Sequence, residues 1–400
     1  MRTGEQPLQQ ESVLGEACER TGLSDFGAED FVQPLQVLLH SLAEEARLTA
    51  AGHAGQRDRI VGLLVNRLRV QHWLTRHPEI LEEPLDGPIV IVGFPRTGTT
   101  MLQRILASDP RATALLWWES RNPGPFPGWS PELAARKPDA RIADAREQTR
   151  LMMERNPGLA AVHPFDPEAP DEESLLLEHA IRSTAPASFA NVPSYLRWHL
   201  DHENRSAYRY LGQVLRFLQW QKRRRGEGLK RWVLKAPEHM SHLPLLLEQF
   251  PDATVVQPHR DPVEIYPSLA SMIFELRQLA SDDVDPQEAA HYVRTSSQHR
   301  IARLLEARRA LPAEHFIDVW FGDLLSDPMA QVERIYERVG IELDEPARHA
   351  MAAWTLANRR DQRPTHSYTL EQFGFDAEVI RHELSEYRQT FLSPDGSAKR

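Results

Sequence analysis

Eight consecutive residues concentrate the anion-binding chemistry of this sequence: Gly93-Phe94-Pro95-Arg96-Thr97-Gly98-Thr99-Thr100. Glycines let a backbone turn tightly enough for successive N–H groups to face one anion. Thr97, Thr99 and Thr100 add hydroxyls, and Arg96 adds a fixed charge. The spacing is that of the nucleotide-triphosphatase phosphate loop, except that Thr99 stands where that loop carries lysine. Without that lysine, and with no evident aspartate for magnesium, ATP hydrolysis is disfavoured. A second anion site is readable in His259-Arg260-Asp261-Pro262, with Ser268 two helical turns beyond. An arginine at a strand end can fork onto phosphate oxygens, and a serine on the next helix can add a hydrogen bond. Taken alone, the same residues describe a surface Arg–Asp pair before a helix-starting proline.

Such residues need strands to deliver them and helices to follow. Pro88 to Val92 is a short apolar run, as expected of a strand buried on both faces. Gly93 to Gly98 reads as a turn and Thr99 to Ala107 as a helix. Further strands are expected at 232–235, 253–258 and 316–320. The helix after the last of these has Asp327 as N-cap, Pro328 in its first turn and Gly340 as its stop. Strands alternating with helices imply an α/β fold, a P-loop-like parallel sheet flanked by helices. Residues 1–85 carry apolar positions at helical spacing (Leu35, Leu38, Leu42; Ile60, Leu64, Leu68) and read as an N-terminal helical lobe. The remaining domain is 86–400. Within it, 111–225 is a helical insertion over the strand ends, where α/β ligand sites lie. The insertion is rich in aromatics: Trp117, Trp118, Tyr195, Trp198, Tyr208 and Tyr210. Each alone is more often core than pocket wall, though together they suit an acceptor pocket.

Composition narrows the classes. The chain has 400 residues, 41% hydrophobic and 26% charged, which is a folded rather than disordered mixture. A net charge of −10 disfavours nucleic acid as partner. One cysteine excludes an internal disulfide or a cysteine zinc site. The polar start and the lack of a long apolar run point to a cytoplasmic protein with no integral membrane segment. Oligomeric state stays open, a homo-oligomer included. Glu238, His239 and His242 superficially form a metal cluster, but not at zincin spacing, so no metal is assigned.

The phosphate loop, read with Arg260 and Ser268, resembles the sulfotransferases that use 3′-phosphoadenosine 5′-phosphosulfate (PAPS) as co-substrate. It is most similar to a bacterial branch related to the tyrosylprotein enzymes, and the likeness spans about Leu14 to Phe391. It implies that residues 96–100 hold the 5′-phosphosulfate, and that Arg260 and Ser268 hold the 3′-phosphate. Relatives carry a further arginine four residues after the serine; here Met272 stands there. Phe321 falls where relatives place a tyrosine near the adenine. Arg363 and His366 fall in the stretch resembling the family's final nucleotide-covering loop. Lys235 falls where relatives place a lysine that stabilises charge on the transferred group. For the base that takes the acceptor's proton, Glu119 is preferred, His239 is second and His163 third. The implied reaction moves a sulfuryl group from PAPS to a hydroxyl of a small, apolar or amphipathic acceptor. A nucleotide or nucleoside-phosphate kinase on the same core is the rival, and a non-catalytic nucleotide-binding protein is a second.

Overall fold

Burial on both faces explains why the strands read as unbroken apolar runs. In the computed structural model, which describes residues 8–155, 166–358 and 368–393, five parallel strands form one sheet. They are β1 (Ile89–Ile91), β2 (Ala112–Thr113), β3 (Arg231–Lys235), β4 (Thr254–His259) and β5 (Phe316–Trp320), in the order β2-β3-β1-β4-β5. Successive side chains alternate between faces. Val90, Leu234 and Val255 enter one core. Ile89, Ile91, Val233 and Val256 enter another, with Leu102, Ile105 and Leu106 of the helix Thr99–Ala107 and Val332 and Ile335 of the helix Pro328–Val339. The four strands expected from sequence are all parallel. The fifth, β2, has two residues, too few to show a pattern.

The local punctuation works as its residue types dictate. Asp327 accepts from the Ala330 N–H at 3.0 Å and starts its helix, and Gly340, at φ +72°, ends it. Asp261 caps the helix Pro262–Gln278 through the Val263 N–H at 3.0 Å.

The first 85 residues supply three long helices, Gln10–Thr21, Val32–Glu44 and Ala50–Arg76. Their buried residues, Leu35, Leu38, Ile60 and Leu64 among them, share one core with Tyr195, Leu215 and Phe217 of the 111–225 segment and with one sheet face. That segment is helical, with the helices Trp117–Arg121, Ala140–Arg155, Ser174–Glu178, Ala185–Phe189, Pro193–Asp201 and Arg205–Arg224.

Register places the chemistry. Ile89 lies beside Thr254 on one side and Val233 on the other. The sheet therefore grows outward from β1 in both directions, and the segments leaving β1, β3 and β4 emerge at the same edge. That is the point at which open α/β sheets form ligand crevices.

Candidate active site

The loop after β1 is shaped by close approach. A Cβ on Gly93 would meet the Pro258 carbonyl at 3.0 Å, and one on Gly98 would meet Leu324 at 2.9 Å and Phe321 at 3.2 Å. Gly98 also has φ +83°. Arg96 has φ +71°, a conformation that non-glycine residues adopt only where their surroundings impose it. Thr97 is fully buried and donates its hydroxyl to the Phe94 carbonyl at 2.7 Å, so it braces the loop from within. Gly98 leads into the helix Thr99–Ala107, whose first N–H groups have no intrahelical partner and face an anion favourably.

The second anion site meets the first. Arg260 donates from Nη1 to the Arg96 carbonyl at 2.8 Å, and Arg96 Nε donates to Ser268 Oγ at 3.0 Å. The Arg260 guanidinium also lies 4.4 Å from the centre of the Phe321 ring. Its other contacts go to Glu264 Oε2, at 3.0 and 2.7 Å, an exposed i,i+4 pair of small worth. Arg96, Gly98, Arg260, Ser268 and Phe321, chosen from separate stretches of sequence, thus surround one spot at the ends of β1, β4 and β5. Behind it, His259 bonds Tyr387 at 3.0 Å and Asp318 at 2.9 Å, and Arg388 pairs with Asp261, which fixes the strand end.

Beside the loop is a cavity of about 390 Å³. Arg96, Thr99, Thr100 and Glu172 line it, together with an apolar row on the helix Pro262–Gln278: Leu269, Met272, Ile273 and Leu276. Met272 therefore faces an apolar space where relatives place an arginine. Of the insertion aromatics named from sequence, Trp117 alone lines this cavity. Tyr195 and Tyr208 are buried, with their hydroxyls bonded to the Ser183 carbonyl (2.9 Å) and to His239 Nδ1 (2.7 Å).

Two of the expected bases, Glu119 and His239, do not line this cavity. Glu119 is fully buried and does not reach the cavity. Its Oε1 lies 2.9 Å from both Lys222 Nζ and Arg225 Nη2, and its Oε2 accepts from the Leu116 N–H at 3.1 Å. Burial opposes its charge, but Lys222 and Arg225 hold its carboxyl below the usual carboxylate range. Both of its oxygens thus have partners within the fold. His239 is also fully buried, with Nε2 3.7 Å from Glu173 Oε2, and lies outside the cavity wall. His163, Arg363 and His366 lie outside the described residues.

Lys235 ends β3 beside Ile91. Its Nζ donates to Glu172 Oε1 at 2.5 Å, and its backbone N–H donates to Glu173 Oε2 at 2.6 Å. Glu173 is fully buried, and burial pushes its carboxyl up. Glu172 keeps about a quarter of its side chain exposed and lines the cavity. Neither glutamate is among the residues singled out from the sequence. Elsewhere, one oxygen or nitrogen each from His199, Glu238 and His242 fall within 4.8 Å of one another. Glu238 already accepts from His199 at 2.8 Å and from the Thr184 hydroxyl at 2.7 Å.

The parallel sheet, the glycine loop after β1 and the nearby Arg96, Arg260 and Ser268 gather basic and hydroxyl groups at one sheet edge. A profile of the sulfotransferase family matches residues 88–345, and the chain belongs to this family. The omega-hydroxy-beta-dihydromenaquinone-9 sulfotransferase Stf3 of Mycobacterium bovis is 28% identical over 265 residues, 64% of this chain and 63% of that protein. The match thus spans less than two thirds of that relative's length. The crystal structure of sulfotransferase STF1 from Mycobacterium tuberculosis superposes with a TM-score of 0.81 at 30% identity, covering 94% of this chain and 98% of that one. Sulfotransferase STF9 from Mycobacterium avium gives 0.86 at 26% identity, over 98% and 99% of the two chains. No helix among the described residues is long and apolar enough to cross a membrane.

Proposed function

We propose that the protein transfers a sulfuryl group from PAPS to the hydroxyl of a small, apolar or amphipathic acceptor. The observation that carries this reading is the convergence of Arg96, Ser268 and Arg260 beside an apolar cavity that also holds Glu172. The donor set suits a nucleotide with a phosphate at each end. Arg260 and Ser268 would hold the 3′-phosphate; Arg96, Thr99, Thr100 and the first turn of their helix would hold the 5′ end. Glycine at 93 and 98 keeps that cradle free of a Cβ. PAPS, when bound, supplies the activated sulfuryl group.

The chain's own work is orientation, charge and proton transfer. Glu172 takes the base role first assigned to Glu119, because it is the carboxylate that meets both cavity and Lys235. It accepts the acceptor's hydroxyl proton as the oxygen becomes nucleophilic. Lys235 and Arg96 offset negative charge as it shifts toward the nucleotide. The apolar wall of Leu269, Met272, Ile273 and Leu276 holds the acceptor body and excludes water. The hydroxylated lipophilic acceptor in Stf3's name is consistent with such a wall.

The test is incubation with PAPS and a library of hydroxylated phenols, sterols, quinols and alkanols, with the desulfated nucleotide quantified. Acceptor-dependent release supports the reading. ATP consumption with phosphorylated product, and none with PAPS, would establish the kinase instead; Thr99 in place of the loop lysine speaks against it.

A further inference from the structure

The cavity wall contains a cation that its own reaction does not use. Arg121 ends the short helix Trp117–Arg121 and lines the same cavity as Glu172 and Thr99. No hydrogen bond or ion pair from another described residue reaches its guanidinium. Its nearest organised contact is the Trp117 ring, with the guanidinium carbon 5.9 Å from the ring centre. A neighbouring cation, Arg59, is treated differently. Arg59 forms a two-pronged pair with Glu178, at 2.7 and 2.8 Å, and lies 4.0 Å from the Phe189 ring centre. Both oxygens of Glu178 are thereby taken. Asp171 also lines the cavity and acts on Arg121 through its charge.

Arg121 is half-buried, and a guanidinium that loses part of its water without a partner is usually paired by a ligand or a neighbour. Burial pushes the Arg121 guanidinium below its ordinary value, Arg59 adds to this, and the charges of Glu178, Asp171 and Asp58 oppose it without restoring it. The rest of the wall is apolar or already satisfied: Leu269, Met272 and Ile273 on one side, Lys235-bound Glu172 near the loop. A ligand that fills this space meets a carboxylate that can accept from a hydroxyl, and a cation with no hydrogen-bond or ion-pair partner among the described residues.

We propose that Arg121 is an anchor for an anionic group of the acceptor, which makes the acceptor a hydroxylated amphipathic acid. This deepens the sulfuryl-transfer reading and rests on it for the acceptor's hydroxyl, though the anion site itself is independent of turnover. A carboxylate is the matching group. One planar guanidinium offers one fork, which two carboxylate oxygens fill. A dianionic phosphate would be under-neutralised beside Asp171 and Glu172. The cavity volume, about 390 Å³, falls within the range of small-ligand sites.

The experiment compares decanoate with decanol, below their micellar concentrations, by calorimetry on the full chain saturated with adenosine 3′,5′-bisphosphate. Wild type should bind decanoate about tenfold or more tightly than decanol. Arg121→Leu should erase that preference while leaving decanol and bisphosphate affinity unchanged, and Arg121→Lys should restore part of it. Equal affinity of the acid and the alcohol in wild type would overturn the proposal, and so would an acid preference that survives Arg121→Leu. The wild-type comparison needs no variant, so a misfolded variant leaves the proposal testable. Failure of the bisphosphate to bind would sink the sulfuryl-transfer reading and leave the acid-against-alcohol result intact.

Discussion

A carboxylate that serves as a base must meet its substrate, and Glu172 meets the cavity while Glu119 is sealed beneath it. Glu172→Gln should keep donor affinity and lower turnover by about 10²–10⁴-fold, measured under acceptor saturation. Glu119→Gln should act on folding instead. It leaves Lys222 and Arg225 buried and half-paired, at a cost of about 3–5 kcal/mol in denaturant unfolding, with turnover of the folded fraction retained. The reverse ranking in turnover would return the base role to Glu119. Sequence could not separate these two. Trp117 and Trp118 are neighbours of the kind that desolvate a carboxyl and raise it, but Lys222 and Arg225 lie about a hundred residues along the chain, and their approach is a property of packing. Arg260 could be picked out as an anion-site candidate from sequence, because Pro262 starts a helix after it and Ser268 follows two helical turns beyond. Arg260→Ala should weaken adenosine 3′,5′-bisphosphate about 10–100-fold, the worth of a charge-assisted contact, and spare the 5′-monophosphate. Equal loss for both ligands would remove Arg260 from the 3′ end.

At the scale of elements, what could be read was whatever obeys a local rule. Strands β1, β3, β4 and β5 announce themselves by apolar runs, and the helix stops by their caps. The two-residue β2 does not; it exists because the chain at Ala112 and Thr113 lies beside Arg231 and Trp232 of β3. The strand–loop–helix unit at Gly98 can be tested directly. Alanine there must adopt φ +83° and pushes its methyl into Leu324 and Phe321. Gly98→Ala should therefore cost about 1–2 kcal/mol of stability from the backbone alone. It should also abolish nucleotide binding in calorimetry, since the ring of Phe321 and the loop must move apart. Unchanged binding would mean that the loop conformation is not what holds the 5′ end.

At the scale of the molecule, buried histidines set how stability follows pH. Burial holds His179, His242 and His259 below the ordinary imidazole value, His242 down to about 3. The unfolded chain protonates these rings near the usual value of about 6.5, so below that pH it binds protons the fold refuses. Stability from this source is complete above pH 6.5 and is lost as pH falls. Glu173, pushed up by burial, works the other way above the ordinary carboxylate value, and Asp318, held below its ordinary value, begins to lose its share only at much lower pH. The melting temperature should drop between pH 7.5 and 5.5, with unfolding taking up as many as about three protons. A flat or rising profile would contradict it. Arg96 has a further consequence at this scale. Its carbonyl receives Arg260 and its side chain reaches Ser268, so under the proposed function the two ends of one ligand would be joined through one residue. Occupancy at either end then carries a free energy that the other end feels, and thermodynamic reciprocity makes that influence equal in both directions. Adenosine, its 5′-phosphate, its 3′-phosphate and its 3′,5′-bisphosphate form a closed cycle whose non-additivity should be about 1–3 kcal/mol. Arg96→Ala keeps the carbonyl that receives Arg260 but loses the reach to Ser268, so the non-additivity should shrink by about half or more, and the two phosphates would then bind nearly as strangers.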